Sequence, residues 1–291
     1  MARSENRKSM RQFFLLLNRA LIATQMDGCL GVAKAAAYSG LLALFPVLTS
    51  ITAILVQANA SAVSTRLAQF LFDVVPPGTE ELIQQSVTVR GARPVFVIIV
   101  AALLSVWGAS GLIASLMEGF QSVYKIPTGR PIVKQRLVAV MLVLATVLPA
   151  VFASALILFG DNIEREFFRR IGGFGDDVQI RGWIRLISST IRFLLELGTI
   201  TGVMAVMYYF GPNRRQRWRN VWPGALLATA LWLITTQAFA WYVSHLAQYN
   251  VLYGSIGGVI AMLVWMYLLA AIALLGCEFN AERERLLKTQ S

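Results

Sequence analysis

Charge is scarce in this chain. Asp, Glu, Lys and Arg make up 14% of its 291 residues, whereas a water-soluble domain carries about one charged residue in four. That shortage leaves a water-soluble surface uncovered and points to a lipid solvent. Histidine occurs once, at His245, and cysteine twice, at Cys29 and Cys277 with no CxxC spacing, so neither a multi-histidine site nor a cysteine framework can be built. The phosphate-binding pattern GxxxxGK[ST] is absent, so the chain has no ATP-binding loop of that kind. The N-terminal apolar patch is cut by Asn18 and Arg19 and has no small-residue cleavage site, which excludes a secretory signal. Strict alternation over about ten residues is missing too, and a β-barrel with it.

What is present is apolar length. Hydrophobic residues make up 57% of the chain and mean hydropathy is +0.63. A helix needs roughly 20 mostly apolar residues to cross a bilayer. Residues 35–57, 94–117 and 137–160 hold no charge, and neither does the 58-residue stretch 220–277, which "SHLAQYN" divides into spans 222–245 and 251–277. A further span, about 186–211, carries one basic and one acidic residue. The expectation is an all-α polytopic membrane protein with six transmembrane helices. An N-terminal interfacial helix precedes them, since Arg11, Asn18, Arg19 and Gln25 oppose Phe13, Leu17, Ala20 and Leu21. The loop 58–93 reads as a helical hairpin against the outer leaflet, with Thr79 as N-cap and Glu80 and Glu81 in a first turn.

Three regions follow: an amphipathic segment 1–29, a transmembrane domain 30–280 and a charged tail 281–291. Seventeen basic residues flank one side of the spans and eight the other, so the positive-inside rule puts both termini in the cytoplasm. The net charge of +11 then marks a face that attracts anionic lipid headgroups. It is dispersed among short loops, so no nucleic-acid partner is expected. No cofactor, metal or catalytic set is expected either.

The candidate site is intramembrane. Arg192 and Glu196 lie four apart on one helix face, and charge at membrane depth is costly and usually functional. They read either as a substrate-binding pair or as a structural latch. Pro46 and Pro149 kink their spans. Gly198 with Gly202, and Gly254 with Gly257 and Gly258, form small faces for helix packing, within the chain or between copies of it. Ser105, Ser110 and Ser115 beside Trp107 read as packing residues. Glu118 and Glu278 read as solvated or ion-paired groups at helix ends, the ladder Glu278, Glu282 and Glu284 beside Arg283 and Arg285 as a solvated pattern, and the region 118–136 as a loop.

The stretches "AAAYSGLLALFPVLTSI", "WGASGLIASLMEGFQSVY" and "YGSIGGVIAMLVWMYLLAAIALLGCEFNAE" resemble the YihY/BrkB family of bacterial inner-membrane proteins over about residues 30–282. The resemblance implies six helices with both termini cytoplasmic, and links to virulence, serum resistance and envelope-lipid export. It transfers no catalytic motif. Many members carry a ribonuclease BN label, which one histidine and a solvated acidic tail do not support. The functional expectation is an inner-membrane transporter or exporter of an anionic or lipid-linked envelope substrate, not itself ATP-driven. A non-transporting scaffold for envelope assembly is the alternative.

Overall fold

The computed structural model describes residues 2–57, 95–149, 151, 178–245 and 255–289, with the side chains at 2–10, 52, 54–57, 178–189, 192, 244, 245, 255 and 256 outside the described set. Every regular element among them is helical. In chain order they are α1 Ala2–Met26, α2 Cys29–Gln57, α3 Val95–Val123, α4 Ile132–Pro149, α5 Val178–Phe210, α6 Trp218–His245 and α7 Ser255–Thr289. Six of the seven are long and apolar enough to cross a membrane, and α1 is not among them. The six expected spans are all present. The proposed outer hairpin 58–93 lies outside the described residues.

The bundle is dressed for lipid. Large apolar side chains such as Phe96, Leu103, Leu148 and Ile234 point outward, while the interior is made largely of small ones: Ala33, Ala36, Ala225 and Ala228 are fully buried. With hydrocarbon outside, greasy side chains gain nothing by turning inward, so small residues that let backbones approach hold the helices together. α3 packs along α2, α7 lies against α2, α3 and α6, α5 against α6, and α1 against α7. The tightest crossing joins α6 to α7. A Cβ on Gly224 would collide with the Gly276 carbonyl oxygen, and one on Gly276 would lie 2.7 Å from the Gly224 carbonyl oxygen. Asn280 secures the crossing, accepting from Gly224 N at 2.7 Å and donating to Val221 O at 3.0 Å.

Because the spans alternate in direction, one face of the bundle gathers the α1–α2 turn, the end of α3, the α5–α6 turn and the end of α7. We call it the terminal face. Gly28, at φ +72, makes the break between α1 and α2, a conformation that glycine adopts without steric cost. On the α3–α4 connection, Arg130 reaches across to the end of α5 and donates to the carbonyls of Phe210 at 2.9 Å, Gly211 at 2.8 Å and Pro212 at 3.3 Å. Partial burial of this guanidinium lowers its pKa from the ordinary arginine value.

Two helix boundaries depart from the charge-free windows. α4 begins at Ile132, so Lys134 and Arg136 belong to a helix and not to a loop. α7 continues unbroken through Glu278 to Thr289, and its last turns are tied down by ion pairs. Arg214 pairs with Glu284, Lys288 with Glu284 at 3.0 Å, and Arg285 with Glu282. Glu282 and Glu284 are therefore paired and largely covered, which corrects their reading as solvated groups.

A buried carboxyl pair at the terminal face

Glu278 is fully buried, and neither of its carboxyl oxygens has a hydrogen-bond donor among the described residues. The expectation of a solvated or ion-paired helix-end carboxylate is thereby overturned. The cause is the seat of α1: Phe13 meets Phe279 at a tilt, ring centres 5.6 Å apart, and Ala20 packs against Leu275 and Phe279. The two helices thus enclose the turn of α7 that carries Glu278.

Its nearest polar neighbour is another acid. The Asp27 carboxyl is its side-chain neighbour; with both groups ionised the pair has only acceptors and Asp27 Oδ2 lacks a donor as well, whereas a single proton between them supplies one. Asp27 Oδ1 faces Lys125 Nζ at 3.9 Å, a contact made by a largely exposed lysine. Arg285 acts on Glu278 through its field, but the guanidinium itself is committed to Glu282 and to Val123 O at 2.8 Å. Ser122 Oγ donates to the Asp27 carbonyl at 2.8 Å and fixes the turn that presents Asp27.

Around the pair lies a shell of buried thiols and phenols. Cys29 and Cys277 are free and fully buried. Tyr124 neighbours Cys277, and burial pushes its phenol pKa well above the usual range. The Arg214 guanidinium covers the Tyr124 ring at 4.1 Å. Tyr208, also fully buried, donates to Ala273 O at 2.7 Å and meets Phe120 edge to face at 5.5 Å. This frame, closed by Arg214 and Arg285, leaves Asp27 Oδ2 and both Glu278 oxygens without a donor among the described residues.

The residues singled out from sequence are distributed differently. Arg192 sits on α5 with its side chain outside the described set, and Glu196, one turn on, is exposed. Gly198 and Gly202 face open space: a Cβ on either would meet no described atom within 4 Å. Gly257 and Gly258 are buried at the start of α7, and Gly254 lies outside the described residues. Pro46 is inside α2, where Ser50 Oγ lies 2.8 Å from its carbonyl oxygen and 3.0 Å from Ser105 Oγ. Pro149 closes the described part of α4. Ser105, Ser110 and Ser115 lie within hydrogen-bonding distance of carbonyls one turn back on α3, consistent with packing roles. His245 ends α6.

Residues 20–291 match the family model described as virulence factor BrkB. The ribonuclease-like protein YfkH of Bacillus subtilis is 30% identical over 248 residues, covering 84% of this chain and 86% of that protein. A UPF0761 membrane protein of Alkalilimnicola ehrlichii is 26% identical over 87% of this chain, which spans 55% of that longer relative. Another, from Pseudoalteromonas translucida, is 28% identical over 84% of this chain and 78% of its own length. No solved structure matches. With six apolar helices of spanning length and a match across nearly its whole extent, the chain belongs to the BrkB family of integral membrane proteins.

Proposed function

We propose that this chain is a secondary transporter of the inner membrane, with both termini cytoplasmic, that exports an anionic or lipid-linked envelope substrate. The coupling cation, a proton in the simplest case, occupies the Asp27–Glu278 pair. The observation that carries this reading is Glu278: fully buried, next to a second acid, with both oxygens lacking a donor. A buried acid without a partner costs stability, and ionisable groups inside membrane bundles mark ion pathways and proton relays. A cation shared by the two carboxyls satisfies both at once and changes the charge on α7, which four other helices touch. A gradient supplies the drive, since the chain carries no P-loop.

Arg192 and Glu196 retain their role within the proposal. Four residues apart on α5, they share a helix face, and in this reading a substrate anion exchanges with the Glu196 carboxylate for the Arg192 guanidinium. The word ribonuclease belongs to the name of the Bacillus relative.

Reconstitution tests the reading. Liposomes containing the purified chain and a fluorescent acidic phospholipid are given a pH gradient, and movement of the lipid between leaflets is followed by quenching. The wild type is expected to respond to the gradient, Glu278→Gln and Asp27→Asn to lose that response, and Arg192→Ala to slow movement altogether. A wild type indifferent to the gradient, or a Glu278→Gln variant that still responds, refutes the coupling. Absence of any movement favours a scaffold.

A further inference from the structure

Away from the terminal-face carboxyls, α3 and α4 enclose a groove of about 660 Å³ lined by Trp107, Ala114, Glu118, Arg136, Leu137 and their neighbours. That volume lies within the range of about 300–1,000 Å³ typical of ligand sites. The groove is mainly apolar, with one cation in it. The Arg136 guanidinium lies flat on the Trp107 ring at 4.1 Å and donates to the Trp107 carbonyl at 2.8 Å. Trp107 is the thirteenth residue of the 29-residue α3, about 18 Å along the helix from its Val95 end and about 24 Å from the other. Arg136 is itself the fifth residue of α4, and its guanidinium thereby reaches the middle of α3.

No carboxylate among the described residues pairs with it. Glu118, the acid nearest along the groove, accepts from Gln135 Nε2 at 3.2 Å, and the Arg136 Nε donor is buried without a partner. An arginine at this depth that keeps an unused donor lacks an anion. The walls show which kind. Trp107, Ile132, Val133 and Leu137 are all strongly exposed beside it, so a bare hydrated anion would shed its water and leave them uncovered. A lipid brings its own apolar chains.

We propose that this groove binds an anionic glycerophospholipid from the surrounding bilayer, its phosphodiester on Arg136 and an acyl chain along Trp107, Ile132, Val133 and Leu137. The inference deepens the transport reading by naming a substrate class, and rests on it only for what happens to the lipid afterwards. Binding is read without flux, so the two can fail separately.

The test uses the full-length protein in detergent micelles, with phosphatidylglycerol, phosphatidylcholine and inorganic phosphate as probes and native mass spectrometry as the readout. The wild type should retain phosphatidylglycerol in preference to phosphatidylcholine. Arg136→Gln should weaken that retention by about tenfold or more, as loss of a charge-assisted hydrogen bond dictates. Lys134→Gln, exposed and outside the groove lining, should not. A photoreactive phosphatidylglycerol should label the wild type within residues 107–118 or 132–140, a result that does not depend on how well the variant folds. Equal retention of the two lipids, an Arg136→Gln variant with unchanged retention, labelling confined to other segments, or displacement of the lipid by equimolar phosphate would each overturn the proposal.

Discussion

Replacing Gly224 by alanine adds one methyl group at the closest approach in the bundle. Built on the present backbone, that carbon collides with the Gly276 carbonyl oxygen and comes within 2.5 Å of Asn280 Nδ2 and 2.6 Å of Asn280 Cγ. Two of these three atoms belong to the side chain that joins α6 to α7, and the third is backbone, so no flexible chain end can swing aside. The helices must separate. Overpacking of this kind costs about 1–3 kcal/mol. Separation also strains the two Asn280 hydrogen bonds, each worth on the order of 0.6 kcal/mol in a membrane bundle and at most about 1.7. The sum is about 2–6 kcal/mol, or a fall in melting temperature on the order of 3–10 °C for a chain of this size. The protein carries its own reporter, because Cys277 adjoins Gly276 and both free thiols are fully buried. A maleimide dye that fluoresces on reaction with thiols should label the alanine variant faster and at lower temperature than the wild type. Gly198→Ala is the contrast. Its Cβ meets no described atom within 4 Å, so better helix propensity should leave stability unchanged or raised by up to about 1 kcal/mol. If Gly224→Ala melts with the wild type, the close crossing of α6 and α7 is not what holds the terminal face together.

Glu278→Gln should raise the melting temperature even as it removes the gradient response, because an amide supplies a donor to Asp27 Oδ2 and relieves a buried unsatisfied acid of about 1–3 kcal/mol. Thermal unfolding in detergent checks this, and a less stable variant would show that Glu278 is already satisfied. Arg130→Lys should loosen the end of α5, since one ammonium cannot hold the carbonyls of Phe210, Gly211 and Pro212 in the planar fork that guanidinium provides. With partial exposure reducing the effect, the cost is about 1–2 kcal/mol. Hydrogen exchange at residues 207–216 should accelerate with little change in α2 or α3, and uniform protection would refute the clamp.

The spans were open to reading from sequence because crossing lipid needs only length and apolarity, both local properties. Their ends were not, because a helix end depends on what receives it. Lys134 and Arg136 break the charge-free window, yet α4 starts before them because α3 offers Arg136 the face and carbonyl of Trp107. Glu278 looked like a membrane exit, since nothing in the sequence near it shows that Phe13 and Ala20 of a distant helix enclose that turn. Small-residue spacing does not say which neighbour, within the chain or in another copy, its face will meet. Gly198 and Gly202 have the spacing for close packing but meet no described neighbour, whereas Gly224 and Gly276 make the closest approach from two different helices, where no short-range spacing links them. The ladder Glu282 and Glu284 was half visible: its charges are plain, its partners Arg214 and Arg285 are set by tertiary packing.

The 35-residue length of α7 has a mechanical corollary. A rod of about 52 Å outreaches a hydrocarbon layer of about 30 Å, so it must lean or stand proud like a mast. Its Ser255 end is seated against Phe239, Val243, Leu41 and Leu44, and its other end is lashed to the α3 terminus and the α5–α6 turn through Arg285 and Arg214. Any pivot of the mast at one side of the sheet of lipid is thereby felt as a tug on those stays at the other, with no intervening joint to absorb it.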